Sequence, residues 1–414
     1  MQLEESFHVT DRTKLRQWLP WMHLFRSFRI AIGIRPVVLG IAAALLIDFG
    51  GQFISQLPFA VDAAPPSSWT QPLSILRPEV YAVHPALIPA QPVNALRETT
   101  SHGSEILQPL WSVVGPGQAL FHGKHSWSHS ATIWTHLLWG MIVWGIFGVA
   151  IARMTAVRFA VDQSVRTRES LRFAMEKLPA SLGAPLMPLL GVGCLWLICL
   201  VGGLLGRIPS VGPILVGAFW WLPLLLAGLM TLLLLGLAAG WPLMLSSIGT
   251  EDADSFDSFS RAYSYLFSRP WYALWLMFLA LLYGSVLLTF VATIIQILMP
   301  LAEWSVASGL GGEQTLELLR GSDDVNGFAS SAVDFWQNVI RLGLVGFVTS
   351  YFWTATTVIY FLLRKSVDAT PLDAVAQRVT SKPNALPIMG VAAAEQREKD
   401  TESPSSEDES ALTE

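Results

Sequence analysis

The stretch GAFWWLPLLLAGLMTLLLLGLAAGWPLML, Gly217 to Leu245, runs for 29 residues without one ionisable side chain. A helix needs roughly 20 apolar residues to cross a hydrocarbon layer ~30 Å thick, and at 1.5 Å per residue this one would be ~43 Å long. It is expected to tilt, or to begin as a short re-entrant piece after Pro209 and Pro213. Five further runs share its character: Pro36 to Ile54, Ala131 to Ala152, Ala184 to Leu205, Trp271 to Leu298 and Val339 to Leu363. Each is continuous rather than alternating, which selects helix over a membrane-spanning strand. Composition agrees, with 52% hydrophobic and 14% charged residues, against about 25% charged in a soluble domain. The expected fold class is an all-α membrane protein with six transmembrane helices.

Lys and Arg set the threading. Six precede the first run (Arg12, Lys14, Arg16, Arg26, Arg29, Arg35), six lie between Arg153 and Lys177, two are Arg261 and Arg269, and six follow the last run from Arg364 to Lys399. The opposite side has only Arg77, Arg97, Lys124, Arg207, Arg320 and Arg341. The bias places both termini in the cytoplasm, and an even number of spans agrees with that. A cleaved leader is the competing reading of the N-terminus, but the residues ahead of the first run are too many and the run too long for one. Cys194 and Cys199 both lie in span three and read as small apolar packing groups.

Working outward from the spans, the loop between spans two and three carries Glu169-Ser170-Leu171-Arg172-Phe173-Ala174-Met175-Glu176-Lys177-Leu178. The loop between spans four and five carries Asp257-Ser258-Phe259-Ser260-Arg261-Ala262-Tyr263-Ser264-Tyr265-Leu266, with acid, Ser, Ala and Leu in register 88 residues on. Leu171, Ala174, Met175 and Leu178 share one helical face, as do Phe256, Phe259, Tyr263 and Leu266. A weaker third copy is Leu15, Trp18, Met22 and Phe25, after which Arg35-Pro36 opens span one as Arg269-Pro270 opens span five. Helices of this kind tend to lie in the membrane interface. The spans are therefore expected as three helix pairs, each preceded by a cytoplasmic interfacial amphipathic helix. Residues 1–35 form the cytoplasmic N-terminus, 36–365 the membrane domain, and 366–414 a cytoplasmic tail that is acidic and disordered from about Pro383.

Candidate sites are few. The acids Glu251, Asp252, Asp254 and Asp257 suit a divalent cation in principle, but Asp254 or Ser255 reads better as a helix N-cap and Asp257 as a charge matched to the helix dipole. The Pro-rich outer loop, residues 55–130, is expected in extended pieces and turns. His122, His125 and His129, spaced i, i+3, i+7, would share a face if span two extended outward as a helix, and imidazoles suit Zn or Cu; no carboxylate or Cys accompanies them, so solvated histidines are the preferred reading. Inside the spans stand Asp48, His136 and Arg341, with Asp48 and Arg341 expected to pair because their depths match. Gly140, Gly145, Gly148, Gly202, Gly203, Gly343 and Gly346 allow close helix contacts. No residues are assigned to a cofactor or a metal.

Arg153-Met154-Thr155-Ala156-Val157-Arg158, Trp241-Pro242-Leu243-Met244, Asp257 to Tyr265 with Arg269-Pro270-Trp271, and Tyr360 to Arg364 with Val367-Asp368-Ala369-Thr370 carry a likeness. Over most of the chain outside the outer loop and the tail, the protein resembles a family of uncharacterised bacterial six-span integral membrane proteins. That resemblance implies a bacterial cytoplasmic (inner) membrane and assigns no activity. The repeated elbow helix is also similar to the non-catalytic membrane domain of glycerophosphodiester phosphodiesterases, whose catalytic domain is not read in these residues. The spans offer no graded polar path, and no nucleophile–base set or nucleotide loop is legible. The expected function is thus a non-enzymatic scaffold or accessory component that organises lipid or partner proteins. A permease or channel-like subunit is the alternative, favoured if Asp48, His136, Thr349, Ser350, Thr354, Thr356 and Thr357 line one cavity, and a lipid-modifying enzyme is a third reading. Membrane lipid and a protein partner or second copy are the expected partners; nucleic acid is not.

Overall fold

The computed structural model describes residues 19–60, 104–120, 126–209, 211–312, 315 and 324–375. The described residues are helical, with no strand among them. A short 3-10 turn, Pro20–Phe25, leads into α1 (Arg26–Ala31), α2 (Ile34–Ser55), α3 (Gln108–Ala119) and α4 (Trp127–Val161). There follow α5 (Thr167–Glu176), α6 (Leu178–Leu205), α7 (Gly212–Ala218), α8 (Trp221–Glu251), α9 (Ser255–Ser268), α10 (Pro270–Leu310) and α11 (Asp324–Asp368). Six of these, α2, α4, α6, α8, α10 and α11, are long and apolar enough to cross a membrane. They correspond to the six apolar runs. Four outreach them most: α4 passes Ala152 by nine residues, α8 passes Leu245, α10 passes Leu298, and α11 begins well before Val339. The short helix α7 stands apart ahead of span four.

The bundle is built around α4 and α11. In their most apolar stretches 72% and 89% of residues are buried, against 11% in α6 and α8. The centre is aromatic: the Trp353 ring lies 5.9 Å from Trp144 and 5.6 Å from Trp241. Span six packs along span one, span four along spans two and three, and span five along span six. Intramembrane hydroxyls tie these helices together. Ser350 donates to Ala31 O at 2.8 Å, Thr155 and Thr354 meet at 3.3 Å, and Ser246 and Thr357 at 3.4 Å.

Glycine contacts follow the expectation in part. A Cβ on Gly148 would stand 2.7 Å from the Trp353 ring, and one on Gly145 2.5 Å from Ser181 Oγ. Gly140 lies against Ser112, and Gly346 against span one. Gly202, Gly203 and Gly343 face open space and serve no close approach. Cys194 and Cys199 are free, Cys194 on an exposed face.

Residues 61–103 and 121–125 of the outer loop lie outside the described residues, and the described part differs from the extended chain expected of it. Residues Gln108–Ala119 form the helix α3, which is buried at Pro109, Ser112, Val113, Gly115 and Pro116. Between span one, which ends at Ser55, and span two, which begins at Trp127, α3 packs into the bundle. It reaches the middle of α4, where Trp144 Nε1 donates to Ser112 Oγ at 2.7 Å and Ser112 donates to Pro109 O at 2.8 Å. Backbone at such depth is tolerated only where protein covers it. A run of 10–14 apolar residues is the usual length of such a piece, and Ile106 to Val114 came close to that signal. Ser112→Ala leaves the indole N–H buried and unpaired, so a loss of about 1–3 kcal/mol is expected in thermal unfolding, while Ser112→Thr retains most of the stability.

The short helices bury faces slightly rotated from those read in the sequence. In α5 Ser170, Phe173 and Ala174 are buried and Met175 is exposed; in α9 Ser258, Ala262, Tyr265 and Leu266 are buried and Phe256 is exposed. The small residues Ser and Ala admit the neighbouring helix, while the larger Met and Phe are turned away. Residues 20–31 form a 3-10 turn and a short helix rather than one amphipathic helix, with Leu24, Ser27, Ile30 and Ala31 inward and Phe25 exposed. Leu15, Trp18 and residues 376–414 of the tail lie outside the described residues. Among the described residues, three that are not glycine adopt positive φ: Asp162 (56°), Asp252 (61°) and Ala369 (55°). They directly follow α4, α8 and α11, so the second, fourth and sixth spans all stop in the left-handed conformation, which favours reversal of chain direction at a helix end.

Candidate functional site

Four cationic side chains converge on the C-terminus of α8. A helix end presents unpaired carbonyls and a partial negative charge, and Glu251 and Asp252 add two carboxylates there. Arg364, on span six, makes an ion pair with Glu251 Oε1 at 3.0 Å, and Tyr360, one turn earlier, donates its hydroxyl to the same oxygen at 2.8 Å. Arg261 of α9 engages Glu251 Oε2 and also Asp257 at 3.0 Å. Lys177, at the start of span three, reaches both the Asp252 carboxylate and its carbonyl at 2.7 Å. Arg153 of span two donates to Gly249 O at 3.4 Å and lies over the Phe173 ring at 4.9 Å. Tyr265 adds a hydrogen bond to Asp368, and Arg364 donates to Ala374 O at 2.7 Å.

The local reasons are plain. Of the two caps the sequence offers, Asp254 and not Ser255 caps α9, its carboxylate accepting from Asp257 N at 2.8 Å. That cap starts α9 in a direction that brings Arg261 back over Glu251, ten residues earlier. The backbone of Asp252 turns left-handed, which releases its carboxylate toward Lys177. Glu251, Asp252 and Asp257 are each ion-paired to a base of the cluster. Chemically it is a clasp that fixes spans two, three, four and six with α9. Among the described residues no group of three or more His, Cys, Asp or Glu is placed to hold a metal.

Burial pushes the Tyr265 phenol well above its usual value, and its bond to Asp368 adds to the shift. The raised value means that the fold favours the protonated phenol. Its stabilisation is fully present below pH ~10 and is lost as pH rises beyond that. Tyr265→Phe is therefore expected to cost about 1 kcal/mol at neutral pH and to flatten the fall of the thermal midpoint measured from pH ~8 to ~11.5. An unchanged alkaline slope in the variant counts against the assignment.

The intramembrane candidates do not assemble. Asp48 is half-buried and accepts from Gln52 Nε2 at 2.7 Å, one turn along its own helix. Arg341 reaches Gln337 and Asn338 on its own helix, each at 3.4 Å. The expected Asp48–Arg341 pair is therefore not formed: each finds a polar neighbour one turn away, without the cost of bringing two charges together across the bundle. His136 is buried, with Nδ1 2.9 Å from Thr132 O. Span two begins at Trp127, where the hydroxyl of Ser126 accepts from His129 N at 3.3 Å. The helical face needed to gather three histidines is thus not provided by this helix, and His122 and His125 lie outside the described residues.

Reading the sequence missed the clasp. Arg364, Lys177 and Arg153 were legible only as markers of sidedness, and Glu251 only as part of an acidic run. The available signal was an acid at the last position of a long apolar helix, where no water-facing role explains it. Family models, curated proteins and solved structures were all compared with the chain, and none of them matches it.

Proposed function

We propose that the chain is a non-enzymatic multi-pass protein of the bacterial cytoplasmic membrane, with both termini in the cytoplasm, that organises lipid or partner proteins. The observation that carries this reading is how the polar groups inside the spans are engaged. Ser246, Ser350, Thr155, Thr354 and Thr357 bond one helix to another or to a neighbouring turn. They act as interhelical glue, which is what a rigid scaffold requires. The Lys and Arg bias supports the orientation, with the clasp on the cytoplasmic side.

Three units of short helix, span and span support an internal repeat with interfacial helices at each entry. Ser170 and Ser258, and Ala174 and Ala262, are fully buried at equivalent positions of α5 and α9. The left-handed residue after each even span supports the same division. One observation favours the second reading, a permease or channel-like subunit: α3 penetrates to mid-bundle, as discontinuous helices do in transporters.

Mild extraction into lipid nanodiscs followed by native mass spectrometry separates the two. A stoichiometric protein partner or one selected lipid is expected for the scaffold. A bound polar small molecule with neither of these would move the assignment to transport.

A further inference from the structure

Spans four and five do not pack along each other. Between them a cavity of about 140 Å³ opens against span six. Ala239 and Pro242 of α8 form one wall, Met277 and Leu281 of α10 the other, and Tyr351 and Ala355 of α11 the back. Ile106 and Leu110, at the entrance of helix α3, close one end. Small side chains create the space, since alanines stand where neighbouring turns carry Leu or Phe.

The chemistry of the lining decides what can occupy it. The volume is ample for water, but a buried water needs two to four polar partners. The two hydroxyls in the wall are already engaged, Tyr351 donating to Ala280 O at 2.7 Å and Thr356 to Phe352 O at 2.8 Å. Water entering finds only the remaining acceptor lone pairs of these hydroxyls and no free side-chain donor in the wall. The open side lies between helices whose outward faces are large and apolar: Leu232 and Leu235 on α8, Leu274, Phe278 and Leu282 on α10 are all exposed. On helices that cross a bilayer such faces meet lipid, so the medium at the mouth of the crevice is hydrocarbon.

We infer that the crevice between spans four and five holds an acyl chain of a membrane lipid. The inference rests on the membrane-scaffold reading and gives it a site at which lipid is held. Selection comes from shape, because hydrocarbon and a leucine side chain are equally apolar and transfer between them supplies no hydrophobic gain. Closure of one end by Ile106 and Leu110 ties the bound chain to α3, and so to the outer loop.

The test uses the full chain in nanodiscs of phosphatidylethanolamine and phosphatidylglycerol, doped with a phosphatidylethanolamine carrying a mid-chain diazirine. Photolabelled residues are read by peptide mass spectrometry. Labelling of Ala239, Met277 and Leu281 is expected to exceed that of Leu232 and Phe278 at least fivefold. Ala239→Phe, which fills the mouth, is expected to remove the labelling of Met277 and Leu281 with the thermal midpoint unchanged; Ala355→Leu, from the back wall, does the same if the first variant fails to fold. Even labelling of crevice and outer faces overturns the inference, as does crevice labelling that survives both variants. Labelled outer faces with an unlabelled crevice also overturn it, and point to protein as the occupant, from a second copy or another segment of this chain. A partner or selected lipid in the native mass spectrum would then still stand, so failure of the crevice is distinguishable from failure of the scaffold reading.

Discussion

Glu251→Ala is expected to be among the most destabilising single substitutions in this protein, at about 3–5 kcal/mol. The variant strands Arg364, whose side chain is only 5% exposed, with no carboxylate partner. It also removes the acceptor of Tyr360 and one of the two partners of Arg261. Breaking a buried pair by removing one member costs far more than the pair contributes over an apolar replacement, because the charge left behind has lost its water. The double variant Glu251→Leu, Arg364→Met should accordingly recover most of the loss. Asp257→Ala tests the contrast: its pair with Arg261 is roughly half exposed and is expected to contribute about 0.2–1 kcal/mol. Thermal unfolding in nanodiscs measures these three variants and the two singles of the cycle. If the losses from the single variants Glu251→Leu and Arg364→Met simply add in the double-mutant cycle, the two residues are not coupled and the clasp is wrong.

Gly346→Val is expected to cost about 3 kcal/mol or more, at or beyond the upper end of overpacking penalties. Spans one and six meet backbone to backbone at this point. A Cβ on Gly346 would stand 2.6 Å from Val37 O and 2.5 Å from Ile41 Cγ1, and one on Gly40 would stand 2.5 Å from Gly346 O. A main-chain carbonyl in a helix has no rotamer to move to, so relief requires that the two helices separate. Span six lines the centre of the bundle, and its displacement also disturbs Trp353 and the clasp. The control is Gly343→Val, one turn earlier and facing open space, which is expected to change the thermal midpoint little. Equal effects at the two positions would mean that helix propensity, rather than the span one–span six contact, governs this segment.

The sequence by itself determined the number of apolar helices and their order, and narrowed the cap of α9 to Asp254 or Ser255. These are local properties: a continuous apolar run has only helix available to it in hydrocarbon, and Asp254 binds the amide of Asp257 within one turn. Ser170 and Ser258, which the sequence aligns, are both fully buried. The exact buried face was beyond it, because hydropathy assigns Met175 and Phe256 inward while close packing prefers Ser and Ala there. Only the tertiary structure decided where α3 goes, which glycines matter and which charges meet. The insertion of α3 depends on a serine accepting from Trp144, 32 residues away. Gly343 and Gly346 are indistinguishable as letters, and only the crossing point of two helices separates them. Glu251 and Arg364 lie 113 positions apart, and their pairing requires the ends of spans four and six to be brought together first. Apolar runs within a bilayer constrain what a helix is, but not which neighbour it chooses, because lipid satisfies an apolar face as well as another helix does. That choice falls to shape, interhelical hydrogen bonds and the few buried charges, all of which exist only once the helices are assembled.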